Sequence, residues 1–291
     1  MSSTPPTIRC HVLDTGYCLA SEHLLLRGGT RQPIECHALV ALLEHPHHGW
    51  LLWDTGYSPR MLDATQSWPF WLYRHATPLR LPPELAVVRQ LERFGLTPDD
   101  IHTVIISHFH ADHVAGLRDF PTARLVARRE AYAAVATRHG LAALRRAYIP
   151  ALMPDDFLQR AVLLDQANGP LLPALGPTHD LFTDGSLLLV PLPGHARGQI
   201  GLLANTDRGR ILFAADGAWM QRAVREQRPP HWLTNVFVDD AKAARTTLAR
   251  LRAFSAACPE VALVPTHCPE AYAQYVVQGS GIRDQGSEAT F

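Results

Sequence analysis

The stretch that most constrains this chain is Ser107-His108-Phe109-His110-Ala111-Asp112-His113, set directly after the apolar, β-branched run 101–106. That run reads as a buried strand. The chain leaving it is extended, so His108 and His110 point the same way. Asp112 and His113 then begin the next turn, where the backbone can bring both back to the same cavity. Four nitrogen or oxygen ligands within the six residues 108–113 are more than one tetrahedral ion takes from so short a loop. Two ions sharing the cluster is the easier geometry. A histidine-rich surface loop would have a similar composition, but the end of a buried strand is where α/β folds place ligand sites.

The remaining ligands should lie far off in sequence, also at strand ends. His195 follows the strand candidate Ser186–Leu192, Asp216 follows Arg210–Ala215, and His267 follows Val261–Pro265. Taken singly, a strand-end Asp or His often only caps a loop. All three ending strands beside a first cluster that needs more ligands favours a joint site.

Composition bounds what the site serves. Lys+Arg and Asp+Glu are both 27, so formal net charge is zero. That argues against nucleic acid as partner, which needs a basic face. No apolar run approaches the ~20 residues of a membrane span, and the polar start 1–9 does not read as a secretory signal. Five scattered cysteines without a C-x-x-C pair read as reduced thiols of a cytoplasmic protein. The expected partner is a small-molecule substrate.

Along the chain, Cys10–Leu19 reads as an early strand and 36–54 as a hairpin ending in Asp54-Thr55-Gly56. This tripeptide also occurs at 14–16, too short a match to define a repeat. His45, His47 and His48 lie in the hairpin turn and read as solvated. The segment 58–83 is an irregular excursion rich in aromatics and proline. Apolar spacing predicts a helix over 84–94, ended by Gly95. A strand over 124–127 leads into a helix over 128–139, closed by Gly140. Segment 140–180, with five prolines, gives no clear pattern. Further strands are read at Gln199–Ala204 and the three segments above. Asp239-Asp240 caps a helix carrying Ala244, Leu248 and Leu251 on one face. Residues 1–276 read as one domain and 277–291 as a loose tail.

His-x-His-x-Asp-His, then Gly194-His195, Asp216 and His267 at strand ends, resembles the metallo-β-lactamase superfamily from Asp54 to His267. The resemblance implies an α/β fold, a four-layer αβ/βα sandwich of two facing mixed sheets. It implies that His108, His110 and His195 hold one divalent metal ion and that Asp112, His113 and His267 hold a second. Asp216 would bridge the two, and Asp54 would orient the ligand loop from behind. Zinc suits these ligands, as do iron, manganese and cobalt. By the same resemblance, a hydroxide between the metals attacks a substrate carbonyl, and Asp112 passes a proton to the leaving alcohol.

Within the superfamily the chain is most similar to the N-acyl-homoserine lactonase group. The early strand, the hairpin into Leu52-Trp53-Asp54-Thr55-Gly56 and the segment before Leu96-Thr97-Pro98-Asp99-Asp100 carry this. The resemblance implies hydrolysis of a lactone or ester, an N-acyl-homoserine lactone among them. The alternatives are a thioester hydrolase of the hydroxyacyl-glutathione type and an iron-dependent redox relative. Those lactonases commonly place a Tyr three residues after the bridging Asp. Here that position is Trp219, whose indole can donate only its N–H, which implies a different donor or a different ester. Trp68, Phe70, Trp71 and Tyr73 read either as an apolar wall for an acyl chain or as core packing or a homodimer contact. Cys268, beside His267, reads as a small buried apolar residue.

Overall fold

The structure, a computed structural model, describes residues 4–277; the expected tail at 277–291 lies outside them except for Val277. Seven strands make a first, mixed sheet: β1 (Arg9–Ser21), β2 (Pro33–His45), β3 (Gly49–Trp53), β4 (Leu79–Arg80), β5 (Ile101–Ile105), β6 (Arg124–Arg128) and β7 (Ala161–Leu164). Their order is β4-β1-β2-β3-β5-β6-β7. β1, β2 and β3 pair antiparallel, whereas β3, β5, β6 and β7 run parallel. A short ribbon of β8 (Leu171–Leu172) and β9 (Gly176–Pro177) follows. The second sheet takes its strands in chain order: β10 (His179–Asp180), β11 (Leu187–Pro191), β12 (Ile200–Thr206), β13 (Gly209–Ala215) and β14 (Ala262–Pro265).

Period-two alternation decides how the layers stack. In β2, Leu39, Ala41 and Leu43 join a core with Leu187, Leu189, Leu202 and Phe213 of the second sheet, so the two sheets face each other. Val40 and Leu42 point the other way, into a core with Val87, Leu91, Val114 and Leu117. On the far side of the second sheet, Leu188, Val190, Leu203 and Leu212 pack against Leu248, Leu251 and Phe254 of the helix Ala241–Ala257. Both faces of each sheet are thus buried, which explains why their strands read as near-continuous apolar runs. The result is the expected helix–sheet–sheet–helix sandwich.

The long strands fall within one to three residues of their expected bounds; the helices differ more. The helix expected over 84–94 is broken at Ala86, whose ψ of 134° is extended, into short turns Pro83–Leu85, Val87–Gln90 and Leu91–Phe94. The buried Gln90 amide donates to the Leu85 and Asp14 carbonyls, each at 2.7 Å, and so satisfies the carbonyl beside the break. Gly95 does end the segment, in a left-handed conformation. The helix expected over 128–139 covers only Arg129–Val135, and Gly140 opens a further short helix, Gly140–Leu144, instead of closing the first. The excursion 58–83 contains helices Arg60–Ala64 and Trp71–Ala76. The hairpin turn also departs from expectation, because His45 is buried rather than solvated. Its Nδ1 accepts from the His47 amide and its Nε2 hydrogen bonds to Asp184, while His48 stacks on Phe182.

Candidate metal centre

Every expected ligand sits just beyond a strand end at one edge of the sandwich. β5 leads into His108, His110, Asp112 and His113; β11 leads to His195, β13 to Asp216 and β14 to His267. All seven side chains are buried. They gather in two groups whose ligand atoms lie within 4.8 Å of one another: His108, His110, His195 and Asp216 in one, and Asp112, His113 and His267 in the other.

Asp216 joins the groups. Its Oδ2 lies 3.1 Å from His195 Nε2, and its Oδ1 lies 3.4 Å from His113 Nε2 and 3.3 Å from His267 Nε2. Asp112 Oδ2 is 3.3 Å from His267 Nε2. Three atoms facing this centre, His108 Nε2, His113 Nε2 and Asp216 Oδ1, are buried with no hydrogen-bond partner. Orphaned buried polar atoms are costly. Their convergence from separate strand ends, on a set of imidazole and carboxylate donors, fits divalent metal ions.

The far nitrogens of these rings are held from behind. His113 Nδ1 is 2.8 Å from Asp54 Oδ2, and the same carboxylate accepts the Ser107 amide and hydroxyl, each at 2.7 Å. His267 Nδ1 donates to the His37 carbonyl at 2.7 Å. Both contacts leave Nε2 turned to the centre. Asp54 takes a φ of 55° and Ala215, before Asp216, a φ of 45°. Two non-glycine residues in this sparsely populated region beside one site are the local strain that functional sites carry. Thr55 anchors the ligand turn: its hydroxyl donates to the His113 carbonyl at 3.1 Å and accepts the Gly116 amide. The His195 loop is tied down by the Asp239 and Asp240 amides, which donate to the His195 and Gly194 carbonyls. A Cβ on Gly194 would collide with the Ala244 backbone, so only glycine permits this approach.

Without metal, the charges sort themselves among the ligands. Burial, then the neighbouring His195, pushes His110 down to about 3. For His113, burial works downwards but Asp216, Asp54 and Asp112 outweigh it and raise the ring to about 10. Burial likewise works against ionisation of Asp112, yet His113 and His267 hold it at about 2. The cluster therefore keeps its carboxylates ionised and offers neutral imidazoles from the first group.

The substrate residues expected from sequence divide: Trp219 and Tyr73 line the cavity beside the cluster, and Trp68, Phe70 and Trp71 do not. The Trp219 indole N–H donates to Asp216 Oδ2 at 3.0 Å, so its one donor already serves the carboxylate. An apolar cavity of about 180 Å³ opens on His110, Asp112, His195, Trp219 and His267. Trp68, Phe70 and Trp71 do not line it; Tyr73, Ala76 and Thr77 do. Tyr73 and Ala76 share one face of helix Trp71–Ala76, which Thr77 ends, while Trp71 and, ahead of the helix, Trp68 are 36% and 63% exposed. Sequence reading missed Tyr57, Cys18 and Cys36 in the same wall. Tyr57 stands one residue past Asp54-Thr55-Gly56, a signal that was available; Cys18 and Cys36 become neighbours only through strand pairing. Cys268 is buried, its thiol donating to Glu270 at 2.9 Å.

A buried cluster of five histidines and two aspartates, in two groups that Asp216 joins at the edge of a four-layer sandwich, is a donor set fit for divalent metal ions. The chain belongs to the metallo-beta-lactamase superfamily, which residues 33–267 match. It is 29% identical over 224 residues to a "probable metallo-hydrolase" of Mycobacterium tuberculosis, covering 72% of this chain and 63% of that protein. The chain thus spans less than two thirds of that relative's length. It is 26% identical over 196 residues to the N-acyl homoserine lactonase AttM of Agrobacterium fabrum, covering 67% of this chain and 68% of that one. A solved structure of an N-acyl homoserine lactone hydrolase, with the product N-hexanoyl-L-homoserine at its catalytic metal centre, shares the fold. Its TM-score is 0.70 at 18% identity, covering 97% of this chain and 98% of that chain.

Proposed function

We propose that the protein is a dinuclear metal-dependent hydrolase of lactones or related esters, N-acyl-homoserine lactones included. The observation that carries this reading is Asp216, whose two oxygens face different ligand groups. His108, His110 and His195 would hold one ion, Asp112, His113 and His267 the other, with Asp216 between them. Zinc suits the imidazole-rich set. When bound, two such ions supply a water of lowered pKa and a Lewis acid for the carbonyl oxygen.

The chain's own residues do the rest. Asp112, kept ionised beside His113 and His267, can take a proton at Oδ2 and return it to the leaving alcohol. Asp54 and the His37 carbonyl fix which nitrogen of His113 and of His267 faces the centre. Trp219 steers Asp216 through its indole N–H. That leaves the carbonyl-binding donor to another residue. Tyr73 lines the cavity with a hydroxyl that burial keeps protonated, and it fills that role in this reading. Leu24, Leu25, Ala76 and Phe237 give the cavity an apolar wall suited to an acyl chain.

No helix among the described residues is long and apolar enough to cross a membrane. Five free thiols support a cytoplasmic setting, where removing an acyl-lactone signal would amount to quorum quenching.

A hydrolysis panel of lactones, thioesters and β-lactams with metal-replete protein tests the proposal, with His110→Ala as the blank. Turnover of a lactone or ester that the blank lacks is expected. Turnover confined to thioesters or β-lactams, or none at all, would overturn it.

A further inference from the structure

Cys18 and Cys36 are directly opposite each other where β1 pairs with β2. Opposed residues of an antiparallel pair stand about 4.5–5.5 Å apart at Cα, inside the roughly 4.4–6.8 Å that a disulfide spans. The Cys36 thiol donates to the Ile34 carbonyl at 3.9 Å, and both cysteines pack in one apolar cluster with Tyr57. Both cysteines line the cavity that opens on Asp112 and His267, so a small molecule that reaches the ligand cluster also reaches them. The other cysteines differ. Cys10 is buried between the sheets, Cys268 is hydrogen-bonded to Glu270, and Cys258 ends the helix Ala241–Ala257. A single buried cysteine serves as a small apolar filler. A register-matched pair of thiols on a ligand cavity has a chemistry that filling does not require, and the proposed hydrolysis makes no use of it.

We propose that Cys18 and Cys36 form a redox-active dithiol, which a peroxide entering the substrate cavity converts to a disulfide. Cys18, the more exposed of the two on the cavity side, is the attacking sulfur. Its thiolate breaks the O–O bond of hydrogen peroxide, giving a sulfenic acid, and the departing hydroxide takes up a proton to leave as water. The Cys36 sulfur then attacks the Cys18 sulfur, the S–S bond forms, and a second water leaves with the Cys36 proton. Two thiols lose two hydrogens and two electrons; one peroxide is reduced to two waters. The bridge would change the cavity wall at Tyr57, next to Asp112. The resulting fall in hydrolysis rests on the proposed function, whereas the bond itself does not.

Metal-loaded protein treated with hydrogen peroxide and quenched with an alkylating agent tests this by mass. Titratable thiols should fall from five to three, and the intact mass before alkylation by about 2 Da, the two hydrogens lost. Digestion should yield a Cys18–Cys36 linked peptide that dithiothreitol removes. Cys18→Ser and Cys36→Ser, each checked for native melting, should yield none. If no substrate is ever turned over, these readouts still decide the matter. Cys18 surviving as a thiol while other cysteines oxidise would overturn the proposal. So would sulfinic acid at Cys18 without a linked peptide.

Discussion

The Trp219 indole N–H donates to Asp216 Oδ2 at 3.0 Å, three residues along a turn that begins where β13 ends. This donor fixes the tilt of the one carboxylate that faces both ligand groups. Trp219→Phe should keep the fold and the apolar wall but release that oxygen. Metal affinity is expected to fall roughly tenfold, the low end for partners behind a metal ligand. Competition with a chromogenic chelator measures it, and an unchanged affinity would mean that the contact does not matter to Asp216.

Asp54→Asn should do more damage. Asp54 accepts two bonds from Ser107 and one from His113, and an amide cannot accept all three. A stability loss of about 2 kcal/mol is expected from the charged bonds, with metal affinity falling ~10–100-fold. Chemical denaturation of the metal-free variant separates the first effect from the second.

Most of the candidate centre is legible in the sequence, because each candidate ligand follows an apolar strand run, and strand runs are what burial on both faces makes plain. His195 and His267 needed only the strand before them. The substrate side is legible only in part: Trp219 and Tyr73 line the cavity, whereas Trp68, Phe70 and Trp71 do not. Which of Trp68, Trp71 and Tyr73 faces inward depends on where a six-residue helix begins, and no cap or long periodicity marks that start. The Cys18–Cys36 neighbourhood depends on strand register, a long-range property. The helix over 84–94 failed because the extended Ala86 and the buried Gln90 bonds override apolar spacing. His45 misled for a related reason: its partner Asp184 is 139 residues away.

Metal-free protein should show an inverse dependence of stability on pH. His113 rises from its ordinary 6.5 to about 10 in the fold, burial being outweighed by Asp216, Asp54 and Asp112. A proton held more tightly in the folded state contributes stability that is full below pH 6.5 and is lost as pH climbs through about 10. The melting temperature of chelator-treated protein should therefore fall between these limits. Metal-loaded protein should not share that fall, since the ion replaces the proton. A flat metal-free profile would show that His113 is neutral.

Tyr73→Phe removes a hydroxyl from the cavity wall without removing the ring. If that hydroxyl binds the substrate carbonyl, kcat/KM should drop about tenfold, the worth of one hydrogen bond, with metal content unchanged. Steady-state kinetics on the best lactone found would show it. An unaltered kcat/KM would assign the donor elsewhere.

The most direct measurement is the metal content of the purified, metal-replete protein by inductively coupled plasma mass spectrometry, beside Asp216→Ala. Two divalent ions per chain are expected in the parent and one or fewer in the variant, because both groups lose a ligand together. A single ion per chain in the parent, or two ions retained in Asp216→Ala, would contradict a shared dinuclear centre.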